Sequence, residues 1–213
     1  FNHLAAEMLP WLRQMIDRSS DPLFLAARIA IAGNIIDLGI NGALSEAEAG
    51  RSMEEALTQP LNGDWELLRS EIPQAKRVLY IADNAGEIFF DRLLIERLPL
   101  ERVTLAVRGR PILNDATRED ARCAGLDAMV AVIDNGSDAP GTILADCSTG
   151  FVRTFKAADL ILAKGQGNFE TLSEESAPIF FLFKAKCPVI AAHAGVEQGA
   201  LVVLRSKLPG KKG

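Results

Sequence analysis

Apolar residues recur at helical spacing over the amino-terminal part of the chain. The first such set has members three or four positions apart, at Leu4, Met8, Leu9, Leu12 and Ile16. Asp21 and Pro22 suit the start of a second helix, predicted over Leu23 to Leu38 and apolar enough to be largely buried. The pattern Ser45 to Glu48 fits a capping box that opens a third helix. Residues 1–72 are therefore predicted to form an all-helical subdomain.

The pattern changes at about Ile72, after which runs of branched apolar residues alternate with amphipathic stretches. Strands are predicted at Val78–Ala82, Val103–Val107, Ala128–Ile133, Leu160–Ala163, Val189–Ala192 and Leu201–Leu204. The first four begin 25, 25 and 32 residues apart, which is the length of a βα unit. Continuous apolar runs suit strands covered on both faces. The prediction for residues 73–213 is a Rossmann-like three-layer α/β/α sandwich with a mostly parallel sheet, whose last two strands could include an antiparallel edge pair.

Polar clusters follow four successive strands of this predicted sheet. They begin at Asp83, Arg108, Asp134 and Lys164, and they contain carboxylates, carboxamides and glycines. Ligands of open parallel sheets bind outside the carboxyl ends of the strands. Four such clusters at one edge of one sheet therefore indicate a binding site.

Two interpretations are open for Asp83 and Asn84. They could cap the helix predicted after them, or they could offer a carboxylate and an amide oxygen to a hard divalent cation. Gly86 would let the backbone approach a ligand closely. Glu87, in the first turn of that helix, could reach the site. Asp91 is expected either to contact the site residues without touching the ligand or to face solvent.

Asp115 is predicted to supply a second carboxylate to the same cation. Thr117 and Asp120 already provide the cap and the acidic third residue of the next helix, so Asp115 is not needed for capping. Two carboxylates match the charge of a divalent ion.

A lysine follows the fourth strand, where a buried run ends. Lys164, with Gly165 and Gly167 behind it, suits contact with a phosphate oxygen, although an ordinary exposed loop lysine is the alternative. In the helical part, Asn34 and Asp37 share one helix face. These polar side chains could hold two helices together through hydrogen bonds. Alternatively, this helix face could cover the edge of the sheet and contact the substrate.

Composition narrows the classes of function. The chain has 213 residues and a net charge of −5, which disfavours nucleic acid as a partner. Three isolated cysteines favour a reducing, cytoplasmic compartment, and two histidines imply that any metal is held mainly by oxygen ligands. His193 is accordingly left out of the metal shell. No apolar run reaches the ~20 residues that span a bilayer, and no secretory signal pattern opens the chain.

Several common nucleotide and hydrolase motifs do not occur. The P-loop, the dinucleotide fingerprint and the G-x-S-x-G elbow have no match in the chain. A methyltransferase on the same sheet would need a glycine-rich first turn, but that turn has only Gly86, and Asp115 comes too late to bind a ribose. A non-catalytic module that binds metal or phosphorylated metabolites is the second alternative.

Four motifs together resemble the damage-control phosphatase family, long catalogued as a metal-binding domain of unknown function. They are Gly-Asn-Ile-Ile-Asp (33–37), Asp-Asn-Ala-Gly-Glu (83–87) with Asp91, Asn-Asp (114–115) and Lys-Gly-Gln-Gly-Asn-Phe-Glu (164–170). The resemblance covers essentially the whole chain and is greatest to the stand-alone microbial branch. Relatives of that branch usually carry a further amino-terminal segment with a cysteine pair, and this chain begins after it.

The resemblance implies hydrolysis of phosphate esters of small metabolites with a divalent cation such as manganese, nickel, cobalt or magnesium. The family's metal-binding Asp-Asn pair and later Asp match Asp83, Asn84 and Asp115. Its glycine-rich motif places Lys164 and Asn168 near the phosphate. The nucleophile could be water or a carboxylate such as Asp83, and neither the natural substrate nor the oligomeric state is defined by these residues.

Overall fold

A single seven-stranded sheet organises the part of the chain that the computed structural model describes, residues 2–33 and 46–206. The strands are β1 (Leu61–Gly63), β2 (Val78–Ile81), β3 (Val103–Val107), β4 (Ala131–Asp134), β5 (Leu160–Lys164), β6 (Ile179–Lys184) and β7 (Leu201–Arg205). The helices are α1 (Asn2–Asp17), α2 (Pro22–Ala32), α3 (Glu46–Thr58), α4 (Trp65–Glu71), α5 (Ile88–Ile95), α6 (Arg118–Cys123), α7 (Thr149–Ala157), α8 (Gln166–Leu172) and α9 (Pro188–Ala194).

The order in which the chain adds strands to the sheet reverses at its centre, although the central strands are all parallel. The order is β1-β7-β6-β5-β2-β3-β4, with β2 to β6 parallel and β7 antiparallel to β6. The chain runs from β2 outward through β3 and β4 and then returns to β5 on the other side of β2. The carboxyl ends of β2 and β5 therefore flank the topological switch point, where ligands bind in open α/β sheets.

Alternate residues of the central strands face two different helical layers. Tyr80 of β2 packs into the buried cluster that includes α1, α2 and α5, whereas Leu79 and Ile81 pack with α7, α8 and α9. This confirms the predicted three-layer sandwich. Of the amino-terminal helices, α2 packs on β6 and β7 and α1 packs on α5, on the same side of the sheet. A domain division at residue 72 stays a prediction.

Most predicted strands occur at the predicted positions. β3 has the predicted bounds, while β2, β5 and β7 differ from their predictions by one residue and β4 begins three residues later. The first helix is confirmed, and the side chain of Asp21 accepts a hydrogen bond from the Phe24 N–H at the start of α2. The predicted end of this helix and the Ser45 cap lie outside the described residues.

The predicted strand at Val189–Ala192 is wrong, because this segment is part of α9. Pro188 occupies the first turn of that helix, a position that proline favours. The antiparallel partner of β7 is instead β6, an apolar run that ends at Lys184 and was not among the predicted strands. The amino-terminal segment also contributes β1, which pairs with β7 at the sheet edge. No helix within residues 2–33 and 46–206 is long and apolar enough to cross a membrane.

Candidate active site

The loops after β2 and β3 are joined by backbone hydrogen bonds that bring the predicted site residues together. Asn84 and Asp115 form an isolated antiparallel bridge. The Ala116 N–H donates to the Asp83 carbonyl at 2.8 Å, and the Ala85 N–H donates to the Asn114 carbonyl at 2.8 Å. Asp83, Asn84 and Asp115 are thus neighbours at the carboxyl edge, and each is no more than 9% exposed.

The interpretation of Asp83 and Asn84 as helix caps does not hold. The residue that precedes α5 is Glu87, and its side chain makes no capping hydrogen bond. By contrast, Thr117 and Asp120 form the predicted capping box at α6. Asp115 is therefore free of a capping role, as the sequence indicated.

Hydrogen bonds orient one end of each predicted metal ligand. The Asn84 Nδ2 donates to Asp83 Oδ2 at 3.2 Å and to Glu87 Oε1 at 2.6 Å. The Arg108 Nε donates to Asp115 Oδ2 at 2.5 Å. These hydrogen bonds engage the Oδ2 atoms of the two aspartates and the Nδ2 of Asn84. Supporting contacts of this kind are what orient metal ligands in known sites.

Arg108 is a site residue that the sequence analysis did not select. It follows β3, is 2% exposed, and also contacts Thr142 Oγ1 at 3.2 Å and Asn168 Oδ1 at 3.4 Å. The signal that could have found it is the one used for Lys164, a charged residue directly after a continuous apolar strand. A buried guanidinium must be paired, so Arg108 holds Asp115 and the loop of Thr142 in place.

Asn168 is buried and its amide joins the ends of the two central strands. Its Nδ2 donates to the Lys164 carbonyl at 2.6 Å and to the Ala82 carbonyl at 3.1 Å, and its Oδ1 accepts from Thr142 Oγ1 at 2.7 Å. These bonds give Asn168 a structural role at the switch point. Its contact with substrate stays a prediction.

Gly165 lies directly against Asp83. Its φ is +79°, and a Cβ at this position would stand 1.9 Å from Asp83 Oδ2. Only glycine adopts this conformation readily and leaves room for the carboxylate. The glycine after β5 therefore positions Asp83 through its lack of a side chain.

The Lys164 ammonium is enclosed rather than exposed at the loop. Its Nζ donates to the Ala30 carbonyl of α2 at 2.8 Å and to Asp91 Oδ1 at 2.7 Å, with Glu87 Oε2 at 3.5 Å. Three acceptors match the three protons of an ammonium group. In this arrangement Lys164 acts on the site through Glu87, and its direct contact with phosphate stays a prediction.

Asp91 belongs to the same buried network and does not face solvent. Its side chain is fully buried and accepts hydrogen bonds from Tyr80 Oη at 2.8 Å and from Lys164. Burial, together with the charge of Asp91, raises the pKa of the Tyr80 phenol well above its usual value. Tyr80 therefore stays protonated and continues to donate.

Burial and neighbouring charges shift the pKa values of the ionisable side chains in the site. Burial raises the pKa of Asp83 to about 6, and the charge of Asp115 adds to this effect while Arg108 and Lys164 oppose it. Burial raises the pKa of Glu87 to about 8 against the attraction of Lys164. Burial would by itself lower the pKa of Lys164, but Asp91 and Glu87 outweigh it and raise that pKa, so the ammonium stays charged.

The buried charges leave an excess of negative charge. Where burial is described, the buried charged side chains are four carboxylates and two cations, namely Asp83, Glu87, Asp91, Asp115, Arg108 and Lys164. With every group ionised the cluster would carry two excess negative charges, and the raised pKa values of Asp83 and Glu87 show that burial favours protonation of part of that charge. No group of three or more His, Cys, Asp or Glu in the described residues is arranged to hold a metal. The donor set that fits a divalent cation is two carboxylates and the Asn84 amide.

Replacing Lys164 with methionine is expected to lower the free energy of unfolding by about 3–5 kcal/mol. The substitution keeps the apolar stem but leaves Asp91 and Glu87 buried without their cation. Urea denaturation of the variant measures the effect. Lys156→Met, which alters an exposed lysine of α7, is the matched control and should leave the midpoint unchanged. An unchanged midpoint for Lys164→Met would show that these carboxylates do not need the ammonium.

Two further predicted substrate-binding residues, Asn34 and Asp37, lie outside the described residues. The helix that leads to them is α2, whose Ala30 carbonyl accepts from Lys164. Gly33 at its end lies so close to α5 that a Cβ would stand 2.4 Å from the Phe90 ring. The described chain thus reaches residue 33 beside the site, and the roles of Asn34 and Asp37 stay predictions.

The acidic cluster lies at the switch point of an α/β/α sheet, which is where ligands of such sheets bind. The chain matches the model of the damage-control phosphatase ARMT1-like domain over residues 1–202. The chain belongs to this family, which confirms the resemblance seen in its motifs. Family membership supports phosphatase activity, and neither the methyltransferase nor the non-catalytic module is favoured.

Relatives from archaea support the same assignment. The chain is 43% identical to a damage-control phosphatase of Pyrococcus horikoshii over 86% of this chain and 65% of that protein. It is 39% identical to a damage-control phosphatase of Archaeoglobus fulgidus over 94% of this chain and 71% of the relative. It is also 38% identical to an uncharacterised protein of Methanocaldococcus jannaschii over 96% of this chain and 70% of the relative.

A solved structure shares the fold. The crystal structure of a DUF89 family protein from Pyrococcus horikoshii superimposes with a TM-score of 0.84 at 40% identity, covering 97% of this chain and 74% of that one. The chain thus spans between 65% and 74% of the length of these relatives.

Proposed function

We propose that this protein is a metal-dependent phosphatase that hydrolyses phosphate monoesters of small metabolites, such as damaged cofactors or sugar phosphates. The observation that carries the proposal is the buried cluster in which four carboxyl groups outnumber two cations, placed at the switch point in a chain of the damage-control phosphatase family. A divalent cation would balance this acidic excess and favour the ionised carboxylates. Two relatives named damage-control phosphatases support the reaction class.

The metal would be held by Asp83, Asn84 and Asp115. Their oxygen donors suit manganese, nickel, cobalt or magnesium, since carboxylate and amide oxygens are ligands these ions accept. When bound, the ion would supply Lewis acidity and neutralise charge on the phosphoryl group. Arg108 and Glu87 would keep Asp115 and Asn84 oriented toward it through the hydrogen bonds described above.

The start of α5 would hold the phosphoryl oxygens that the metal leaves free. Gly86 is half-buried in the turn before this helix, where backbone N–H groups and the helix dipole favour an anion. Asn168 and Lys164 would keep the β5 turn packed beneath the phosphate, with Asn168 fixed by two carbonyls. The attacking group would be water, or alternatively the Asp83 carboxylate.

Removal of divalent metal is expected to abolish hydrolysis of 4-nitrophenyl phosphate. The protein is dialysed against a chelator and then against chelator-free buffer, and activity is measured on separate addition of Mn²⁺, Ni²⁺, Co²⁺ and Mg²⁺. Activity should return with at least one of these ions and saturate with its concentration. Hydrolysis at the full rate in chelator would refute the metal requirement. A panel of phosphorylated metabolites, assayed with the best ion, would then identify the substrate class.

A further inference from the structure

A β-turn precedes Asp115, and its second residue has an unusual backbone conformation. The Asp115 N–H donates to the Ile112 carbonyl at 3.0 Å, which closes a turn with Leu113 in second position. The φ of Leu113 is +48°, and among the described residues it is the one non-glycine position with a positive φ. Turns with positive φ at this position are dominated by Gly, Asn and Asp. Leucine there costs about 1–2 kcal/mol of backbone strain.

The leucine side chain is also exposed. Leu113 is 83% exposed, the highest value among the large hydrophobic residues of the described chain. The side chain thus adds neither core packing nor turn propensity, while glycine or asparagine would form the same turn with less strain. Strained positions of this kind cluster at ligand-binding sites.

The turn also lies beside the proposed metal site. Leu113 and Asp115 are two positions apart in the chain, so their Cα atoms are at most about 7 Å apart. The Asn114 carbonyl between them accepts from the Ala85 N–H, which ties the turn to the Asp83 loop. The strained conformation therefore holds an aliphatic side chain at the rim of an acidic, polar site.

A second exposed aliphatic residue adjoins the same cluster. Ile143 is 44% exposed and directly follows Thr142, whose hydroxyl joins Arg108 and Asn168. Thr142 is itself fully buried. The rim around the buried charges thus carries exposed aliphatic side chains on two separate loops, the one after β3 and the one after β4.

We propose that Leu113 is a specificity-determining residue that contacts the leaving group of the substrate, and that the enzyme prefers phosphate esters whose leaving group has an apolar or aromatic surface next to the phosphate. This inference rests on the proposed function, because it needs the phosphoryl group at the metal site. The exposed rim then binds the part of the substrate that the metal and the α5 turn do not reach. Apolar contact of this size discriminates between ligands by roughly 10-fold.

Calorimetry with two phosphonates tests this preference without requiring turnover. Phenylphosphonate and methylphosphonate carry the same anionic group and differ in apolar surface. In the presence of Mn²⁺, the wild-type protein is expected to bind phenylphosphonate more tightly. Leu113→Gly is expected to lower the affinity for phenylphosphonate by about 10-fold and to leave the affinity for methylphosphonate unchanged. Its thermal midpoint should stay the same or rise, because glycine relieves the strained φ.

Leu67→Ala removes another exposed leucine, from α4, and should change neither affinity. An equal loss of affinity for both phosphonates in Leu113→Gly would show that Leu113 acts only through the geometry of the Asp115 turn, and it would overturn the proposal. So would a wild-type protein with no preference for phenylphosphonate. A wild-type protein that binds both phosphonates but hydrolyses no phosphate ester would instead refute the proposed function alone.

Discussion

Asp83→Ala is expected to reduce the rate of 4-nitrophenyl phosphate hydrolysis by roughly 100-fold or more, which corresponds to at least about 3 kcal/mol of barrier. The substitution removes one of the two carboxylates proposed to hold the metal and releases Asn84, whose amide loses one of its two acceptors. The measurement is kcat/KM at saturating Mn²⁺ and again at tenfold higher Mn²⁺. Partial recovery at the higher concentration would locate the loss in metal affinity.

The loss of activity should occur without loss of stability. Burial raises the pKa of Asp83 to about 6, so ionisation of this carboxyl opposes folding above that pH. The destabilising effect is absent below the ordinary Asp pKa and is complete above pH 6. In chelator at pH 8, Asp83→Ala should therefore melt at the same temperature as the wild type or higher.

An exposed aspartate at the same sheet edge provides the control for this variant. Asp138 lies in the loop after β4, and its side chain is 60% exposed. Asp138→Ala should keep both activity and stability. Normal activity of Asp83→Ala, or a loss that merely follows unfolding, would remove Asp83 from the proposed mechanism.

Gly165→Ala is expected to lower kcat/KM by about 100-fold, because a misplacement of about 1 Å in a catalytic group can have an effect of this size. The added Cβ would stand 1.9 Å from Asp83 Oδ2 and 2.1 Å from its Cγ, so the carboxylate or the end of β5 must move. The residue must also adopt a φ of +79°, which disfavours alanine. Steady-state kinetics and the thermal midpoint are measured together.

The chain offers another glycine with a positive φ, which lies in the left-handed helical region, unlike Gly165, and has no close neighbour. Gly195 ends α9 with a φ of +69°, and nothing lies within 4 Å of a Cβ built there. Gly195→Ala should thus lower stability by about 1 kcal/mol through backbone strain alone and leave kcat/KM unchanged. If Gly165→Ala behaves like Gly195→Ala, the contact with Asp83 has no catalytic consequence.

The strands that frame the site could be predicted because their apolar runs are both continuous and bounded by polar turns. Val103–Val107 followed by Arg108 is such a case, and the structure gives it the same limits. The segment Val189–Ala192 has the same apolar character but is helical, because Pro188 starts a helix and β6 already occupies the strand position. Periodicity does not separate short apolar helices from buried strands.

The roles of charged residues were less predictable than their positions. Lys164 and Arg108 both follow apolar strands, yet the first turns toward α2 and the second toward Asp115. Asp91 was expected either to support the site residues or to face solvent, and only the structure shows that it is fully buried and hydrogen-bonded to Tyr80 and Lys164. The partner of each charged side chain depends on which helix or loop covers the end of its strand. The residues next to it in the sequence do not reveal this.

By itself, the sequence determined the three-layer sandwich and the edge of the sheet that holds the polar clusters, and it predicted Asp83, Asn84 and Asp115 as metal ligands. These follow from local patterns, since strand periodicity and the polar turns after strands are encoded within a few residues. Only the tertiary structure decided which atoms of those ligands are engaged, that Arg108 balances Asp115, and that Gly165 makes room for Asp83. Gly165 and Asp83 are far apart in the chain, so they meet only when β5 returns beside β2, whereas Arg108 reaches Asp115 because the loop after β3 folds back on itself.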